Sequence, residues 1–456
     1  MTPVLTGLRI VEGSAFVAAP LGGMTLAQLG ADVIRFDAIG GGLDFNRWPV
    51  TEEGVSLFWA GLNKGKRSIQ LDLRSPEGRE LVTEIIVAPG PENGIFLSNF
   101  PESGWLSDAA LRARREDLIY VNIIGNPDES TAVDYTVNPS SGFAYATGPT
   151  GSQMPTNHVL PAWDTATGLT AAVGLLAAER YRARTGAGQL VKISLTDVAF
   201  AMVANLGYLA QAQLTREDRT QIGNDLYGAF GRDFATKDGR RVMVVAISLK
   251  QWQSLAEATR ITPHLPAIEK ALGVDLRKEG DRFQARDAIA SFVAPFIAGH
   301  TLEELRDLRR PGRVGGRTRL TQLVRDDLRR CSIENPMFAK VDQPGSGGCS
   351  CPVRRWPSAR SPGTGRCRHR CSGSTDEVLA EVLGLLSHEI GLLHDRRSPA
   401  PSPERDAGGR RRRPFGRPCR SGEGLVEQVH YGAHERTSVA CGTRCRARPW
   451  PRRRGW

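Results

Sequence analysis

No stretch of this chain approaches the roughly 20 uninterrupted apolar residues that a membrane-crossing helix needs. With 40% hydrophobic and 24% charged residues, the balance is that of a water-soluble protein, and no membrane partner is expected. No basic leader precedes the apolar patches between Met1 and Gly30, and Pro20, Gly22 and Gly23 interrupt that run. Such a start does not read as a secretory signal, so a cytoplasmic protein is expected. Acidic residues fall short of basic ones, 49 Asp and Glu against 60 Lys and Arg, a formal charge of +11. An excess of that size raises nucleic acid as a partner. Its location argues otherwise, because it sits in late arginine runs such as Arg410 to Arg413 and Arg452 to Arg454. Cysteine is confined to the same region, all eight lying between Cys331 and Cys445. Among them Cys349, Cys351, Cys367 and Cys371, with His369, offer zinc's usual ligand types, but their spacings are not the C-x2-C pairs of common sites. No metal is expected.

At 456 residues the chain exceeds the roughly 250 to 300 that one hydrophobic core serves, so at least two domains are expected. From Leu8 to about Ser248, short β-branched runs alternate with longer amphipathic stretches, the pattern of parallel strands joined by helical crossovers. Strands are read at Arg9 to Val11, Asp32 to Phe36, Ser68 to Asp72, Ile95 to Ser98, Ile119 to Ile124 and Leu190 to Ser194. Helices are read at Leu21 to Leu29, Ser75 to Val87, Ser107 to Arg114 and Thr165 to Arg182. A large domain is thus assigned to residues 1–226 and a smaller α+β domain to 227–306, where a hairpin around Lys237, Asp238 and Gly239 precedes helical patterns.

Beyond it, residues 307–395 form a degraded return segment in which Arg, Pro, Gly, Ser and Cys replace apolar periodicity. Two islands look native, 332–345 and 374–395, the second opening on a capping box, Ser374 to Glu377. Residues 396–456 read as an Arg/Pro/Gly-rich disordered tail. Ordinary disorder is richer in Glu, Lys and Gln, so the expected origin is a GC-rich gene read out of phase in 308–330, 346–373 and 397–456, with phase restored in the islands. The coding DNA tests this, for a frame shift across 346–373 must restore a plausible continuation.

Ala, Leu and Val recur at helical spacing from Asp164 to Arg184, with Asp164 and Thr165 where an N-cap belongs and Gly186 placed for a left-handed C-terminal turn. Asp164 then lies at a helix mouth, where unpaired N–H groups favour a carboxylate by ~0.3 to 1 kcal/mol. From spacing alone an ordinary cap accounts for it.

A set of ordered motifs adds to that reading. They are Leu5-Thr-Gly-Leu-Arg-Ile-Val-Glu12, Leu29-Gly-Ala-Asp-Val-Ile-Arg35, Asn63-Lys-Gly-Lys-Arg-Ser-Ile69, Ser98-Asn-Phe100, Leu118-Ile-Tyr120, Pro161-Ala-Trp-Asp164-Thr-Ala-Thr-Gly168 and Arg184-Thr-Gly-Ala-Gly188-Gln189. Together they resemble family III coenzyme A transferases over roughly residues 5 to 305 and again in the islands. The resemblance implies an α/β fold, a Rossmann-like large domain with a second, smaller α+β domain, assembled as an interlocked homodimer. It implies an acyl-CoA substrate, with coenzyme A as part of that substrate and no permanently bound cofactor.

The resemblance also makes Asp164 the carboxylate that carries the acyl group. Carboxylate attack on a thioester gives a mixed anhydride, which keeps the acyl group activated while thiolate leaves. By the same resemblance Val17, Ala18, Leu71, Asn99 and Phe100 line the CoA channel. Position 38, where relatives commonly place an arginine near the nucleotide, is Ala38. Phosphate contact is then expected from Arg35, Arg47, Lys64, Lys66 or Arg67. A racemase subgroup uses a histidine where this chain has Val133, which disfavours racemisation and leaves His158 as the nearest alternative. Residues Val11 to Pro20, Gly40 to Gly42 and Tyr227 to Asp233 resemble members that move CoA between the two ends of one C5 dicarboxylate. An intermolecular acyl-CoA:carboxylate transferase is the alternative, and an inactive relative with a basic nucleic-acid-binding tail is the alternative of another class.

Overall fold

The structure is a computed structural model that describes residues 3–307, 337–343, 347–352 and 374–395. Six strands, β1 (Arg9–Gly13), β2 (Asp32–Ala38), β3 (Arg67–Leu71), β4 (Ile95–Ser98), β5 (Ile119–Ile124) and β6 (Gln189–Ser194), form one parallel sheet in the order β3-β2-β1-β4-β5-β6. The helices among and after them are α1 (Ala18–Gln28), α2 (Leu57–Leu62), α3 (Pro76–Ile86), α4 (Asp108–Arg112), α5 (Asp134–Ser140), α6 (Phe143–Ala146), α7 (Ala162–Thr185), α8 (Leu195–Asn205) and α9 (Tyr208–Thr215). A parallel sheet is covered on both faces, and its strands are accordingly apolar on both. Ile10, Val33, Leu97 and Val121 meet Ala18, Leu26, Ala171 and Leu175 of α1 and α7. Their neighbours Val11, Ile34, Phe96 and Tyr120 pack on the opposite face with Val82, Ile85 and Ile86 of α3.

The second half of the chain continues with β7 (Phe230–Ala235) and β8 (Arg241–Ala246), an antiparallel hairpin. Helices α10 (Leu249–Ala258), α11 (Leu265–Leu272), α12 (Glu279–Gln284), α13 (Arg286–Ala298) and α14 (Leu302–Asp307) follow. Hairpin and helices share an apolar cluster of their own, from Phe230 and Trp252 to Val293 and Leu302. Strands β9 (Phe338–Gln343) and β10 (Gly347–Pro352) pair antiparallel. Thus β10 falls where no apolar periodicity was legible. The rest of the island 332–345, together with Cys367, His369, Cys371 and the tail 396–456, lies outside the described residues.

The island 374–395 returns to the sheet as α15 (Thr375–Leu383) and α16 (Ser387–Asp395), whose Val378, Leu379 and Ile390 enter the cluster on the α3 face. Its capping box does not form: the Ser374 side chain makes no cap bond. Ser374 is buried instead, its N–H donating to the Ser68 carbonyl at 3.2 Å, while the Gln70 N–H donates to Thr375 Oγ1 at 3.2 Å. These bonds cover the open edge of β3, which would otherwise present unpaired backbone groups. Glu381 fixes the dock through Arg9 at 2.6 Å and Arg67 at 2.8 Å.

Helix α1 starts three residues earlier than its sequence suggests, at Ala18 instead of Leu21, because Pro20 in a first turn forfeits no intrahelical bond. Its glycines permit close approach. A Cβ on Gly22 would lie 3.0 Å from the Gly168 carbonyl oxygen, and one on Gly168 would lie 2.4 Å from that of Ala18. Helices α1 and α7 therefore meet backbone to backbone beside Asp164's turn.

Candidate active site

In the strand order, β1 and β4 are neighbours whose crossovers leave in opposite directions, the switch point where open α/β sheets receive ligands. The loops after these two strands are tied to each other. The Asn99 side chain donates to the Ala15 carbonyl at 2.8 Å and accepts the Ala15 N–H at 2.9 Å. Ser98 Oγ donates to the Gly13 carbonyl at 2.8 Å and accepts the Phe100 N–H at 3.0 Å. Asn99 thus shapes the loop with its polar ends, and Phe100 lies half-buried, its ring edge-on to Phe36 at 6.2 Å. Val17 occupies the residue before α1 and Ala18 begins it. These four residues lie together where the two loops meet.

Leu71 and Arg35 stand differently. Leu71 has no exposed surface and is enclosed with Ile34, Phe36 and Ile69, so only its backbone is left to face a ligand. Arg35 is equally buried, and its guanidinium is spent: 2.9 and 3.0 Å to Asp37, 3.0 Å to Asp44 and 3.0 Å to Asn63. It therefore orders the loop after β2 and offers no free cation to a phosphate. Buried Lys66 bonds Glu12 at 2.6 Å, Asn63 at 2.7 Å and the Pro20 carbonyl at 2.9 Å, and burial pulls its pKa down to about 8. Lys64 bonds the Gly61 carbonyl, and Arg67 serves Asp32 and Glu381. Arg47 alone of the five is exposed, its guanidinium lying over the rings of Phe16 at 5.5 Å and Phe58 at 5.2 Å.

Asp164 is the third residue of α7, inside its first turn, and Pro161 holds the N-cap position without a side-chain bond. The cap comes from another helix. Buried Asp134, first residue of α5, accepts the N–H of Trp163 at 2.7 Å and of Asp164 at 3.0 Å on one carboxylate oxygen. Its other oxygen meets His158 Nε2 at 2.7 Å. His158 is thereby joined to the capping carboxylate. Asn138 accepts the Trp163 indole N–H at 3.1 Å and donates to Asn157 at 2.6 Å, fixing the loop before α7 to α5.

Burial first, and the Asp134 charge second, push the Asp164 carboxyl up to about 6. The helix terminus acts the other way, but its ~0.3 to 1 kcal/mol is less than one pKa unit, and burial outweighs it. Asp164 is ionised at neutral pH and more basic than a solvated carboxylate, suited to attack an electrophilic carbonyl. Asp134 had no legible signal, because an acid opening a short polar helix resembles any ordinary cap.

Comparison with known proteins matches residues 5–371 to the family described as CoA-transferase family III. The chain is 53% identical over 407 residues to 2-methylfumaryl-CoA isomerase of Chloroflexus aurantiacus, covering 87% of this chain and 97% of that one. It is 30% identical to succinyl-CoA:mesaconate CoA-transferase of Haloarcula hispanica, covering 79% and 92%. Among solved structures, a CAIB/BAIF family protein from Brucella suis shares the fold with a TM-score of 0.65 and 24% identity, covering 84% of this chain and all of that one.

Proposed function

The chain belongs to CoA-transferase family III, and from that premise we propose that it moves coenzyme A from C1 to C4 of 2-methylfumarate (mesaconate) through Asp164. The observation that carries the reading is the 53% identity to a 2-methylfumaryl-CoA isomerase across 97% of that protein's length. The setting of Asp164 supports it, a half-buried carboxylate pushed up to about 6 beside the switch point of the sheet.

The chemistry starts with the Asp164 carboxylate attacking the C1 thioester carbonyl; the C–S bond breaks and CoA thiolate leaves, giving a mixed anhydride. The two carboxyl groups of 2-methylfumarate are trans across a double bond, so C4 cannot reach C1 while the acyl group is held. Thiolate therefore attacks the aspartyl carbonyl, leaving CoA on Asp164 as a thioester and freeing the dicarboxylate. The dicarboxylate turns, its C4 carboxylate attacks that thioester, and the expelled thiolate then takes the C4 carbonyl and restores Asp164. No proton, redox equivalent or outside acid is consumed. Holding all the parts in one site supplies proximity worth several kcal/mol in principle.

The family also supports an interlocked homodimer working in the cytoplasm. Exposed apolar residues Leu206, Leu209 and Leu214 along α8 and α9 agree with a surface that a second copy covers. Light scattering of purified protein at the mass of one chain counts against the dimer.

The test of activity is to incubate the protein with mesaconyl-C1-CoA plus excess isotopically labelled mesaconate and to separate the regioisomers. Interconversion without label is expected. Label in the product favours intermolecular transfer, the type named in the Haloarcula relative, and no interconversion rejects the proposal.

A further inference from the structure

We infer that Arg47 is the cation that grips the free carboxylate of the dicarboxylic acyl group while the other end reacts at Asp164. The inference rests on the proposed C1-to-C4 transfer, in which a dianion must be kept in the site after it leaves Asp164 and while it turns. A charged carboxylate in such a site needs a partner. Of the five basic residues at this corner, Arg35, Lys64, Lys66 and Arg67 are bound to internal acceptors. Arg47 is exposed, and it makes no ion pair among the described residues.

Its position is built. Phe16, the ring beneath it, sits at a positive φ of 66°, which a bulky residue adopts only when held there. Asp44 does the holding, accepting the Phe16 N–H at 2.9 Å while its other oxygen receives Arg35 at 3.0 Å. The buried Arg35 thus sets, through Asp44, the loop on which Arg47 lies. Phe16 leads through Val17 into Ala18, whose carbonyl abuts Gly168, four residues and about one helical turn beyond Asp164. Arg47 is in this way tied to the acylated end of the substrate. The phosphates of coenzyme A stand at the far end of its pantetheine arm. A planar guanidinium held over two rings is pre-organised to take a carboxylate by two parallel bonds.

The experiment uses the D164N chain, so that no covalent step intervenes, and measures calorimetric affinity for mesaconyl-C1-CoA, for its C4 methyl ester and for the mesaconyl thioester of pantetheine. Arg47→Ala is expected to weaken the free acid about 10- to 100-fold, to leave the methyl ester unchanged and to weaken the phosphate-free pantetheine thioester by the same factor. Arg47→Lys, which keeps the charge without the fork, is expected to recover part of the loss. A loss confined to coenzyme A esters places Arg47 on a phosphate and overturns the inference. Equal losses on acid and ester, or no loss, overturn it as well. Isomerisation by the unmodified protein is scored separately, so failure of the parent reaction is not confused with failure of this contact.

Discussion

A carboxylate attacks a thioester only when ionised, so as the proposed nucleophile Asp164, with its carboxyl pushed up to about 6, should set the acid limit of the first chemical step. The rate of CoA release should climb through that pH and level above it. Asp134→Asn keeps an oxygen to accept the Trp163 and Asp164 N–H groups but removes the charge behind the nucleophile. The acid limb should then move to lower pH, yet stay above the ordinary carboxylate range, because burial is the larger cause of the shift. A kcat/KM profile that keeps its limb at about 6 would show that the Asp134 charge does not tune the nucleophile. The same titration has a stability side. The folded pKa is raised above the ordinary aspartate value of about 3.8, so stability falls as pH rises from there to about 6, and above that the ionised carboxylate costs the folded state up to about 3 kcal/mol. Asp164→Asn should abolish turnover, melt higher than the native chain at pH 8 and match it at pH 4. Equal melting temperatures at pH 8 would mean that the site stores no such cost.

At the scale of elements, the meeting of α1 with α7 carries the proposed nucleophile. A methyl at position 168 would lie 2.4 Å from the Ala18 carbonyl, backbone that cannot swing aside. Gly168→Ala should cost about 1 to 3 kcal/mol of stability, as overpacking does. Because it pushes on the turn holding Asp164, it should also depress kcat, and thermal melts beside turnover measurements check both. Substitution without effect on either would mean the helices are free to part.

This contact also shows where sequence patterns stop. Strands Ile95–Ser98 and Ile119–Ile124 fall where their apolar runs put them, since burial on both faces leaves an unmistakable signal. From sequence, Pro20 and the glycines look like breakers and shorten α1 at its start, and only the partner helix explains them. Spacing alone reads Asp164 as a cap, and only the family resemblance makes it the acyl carrier; in the structure Pro161 holds the N-cap position. That the Asp164 N–H is capped from α5 depends on Asp134, 30 residues away in sequence. Ser374 fails to cap α15 for a similar reason, since β3 takes its backbone. Local propensity is overridden wherever a distant segment offers the better bond.

For the whole molecule, the charge has one address. After Asp395 stand sixteen arginines against five acidic residues, an excess of eleven that equals the net charge of the entire chain. Residues 1–395 are therefore balanced, the family match ends at residue 371, and the last segment docked on the sheet ends at Asp395. The site, its capping carboxylate and Arg47 all lie before that point. A chain ending at Asp395 should keep its acyl-CoA activity and its Kd for mesaconyl-C1-CoA. It should lose any retention on a polyanion column, a retention whose salt dependence reports how many basic residues neutralise phosphates. If the shortened chain retains its column binding, the basic tail is not the anion-binding element. If it loses activity instead, residues beyond Asp395 support the catalytic unit, and the division of this protein into a balanced enzyme and a cationic tail is rejected.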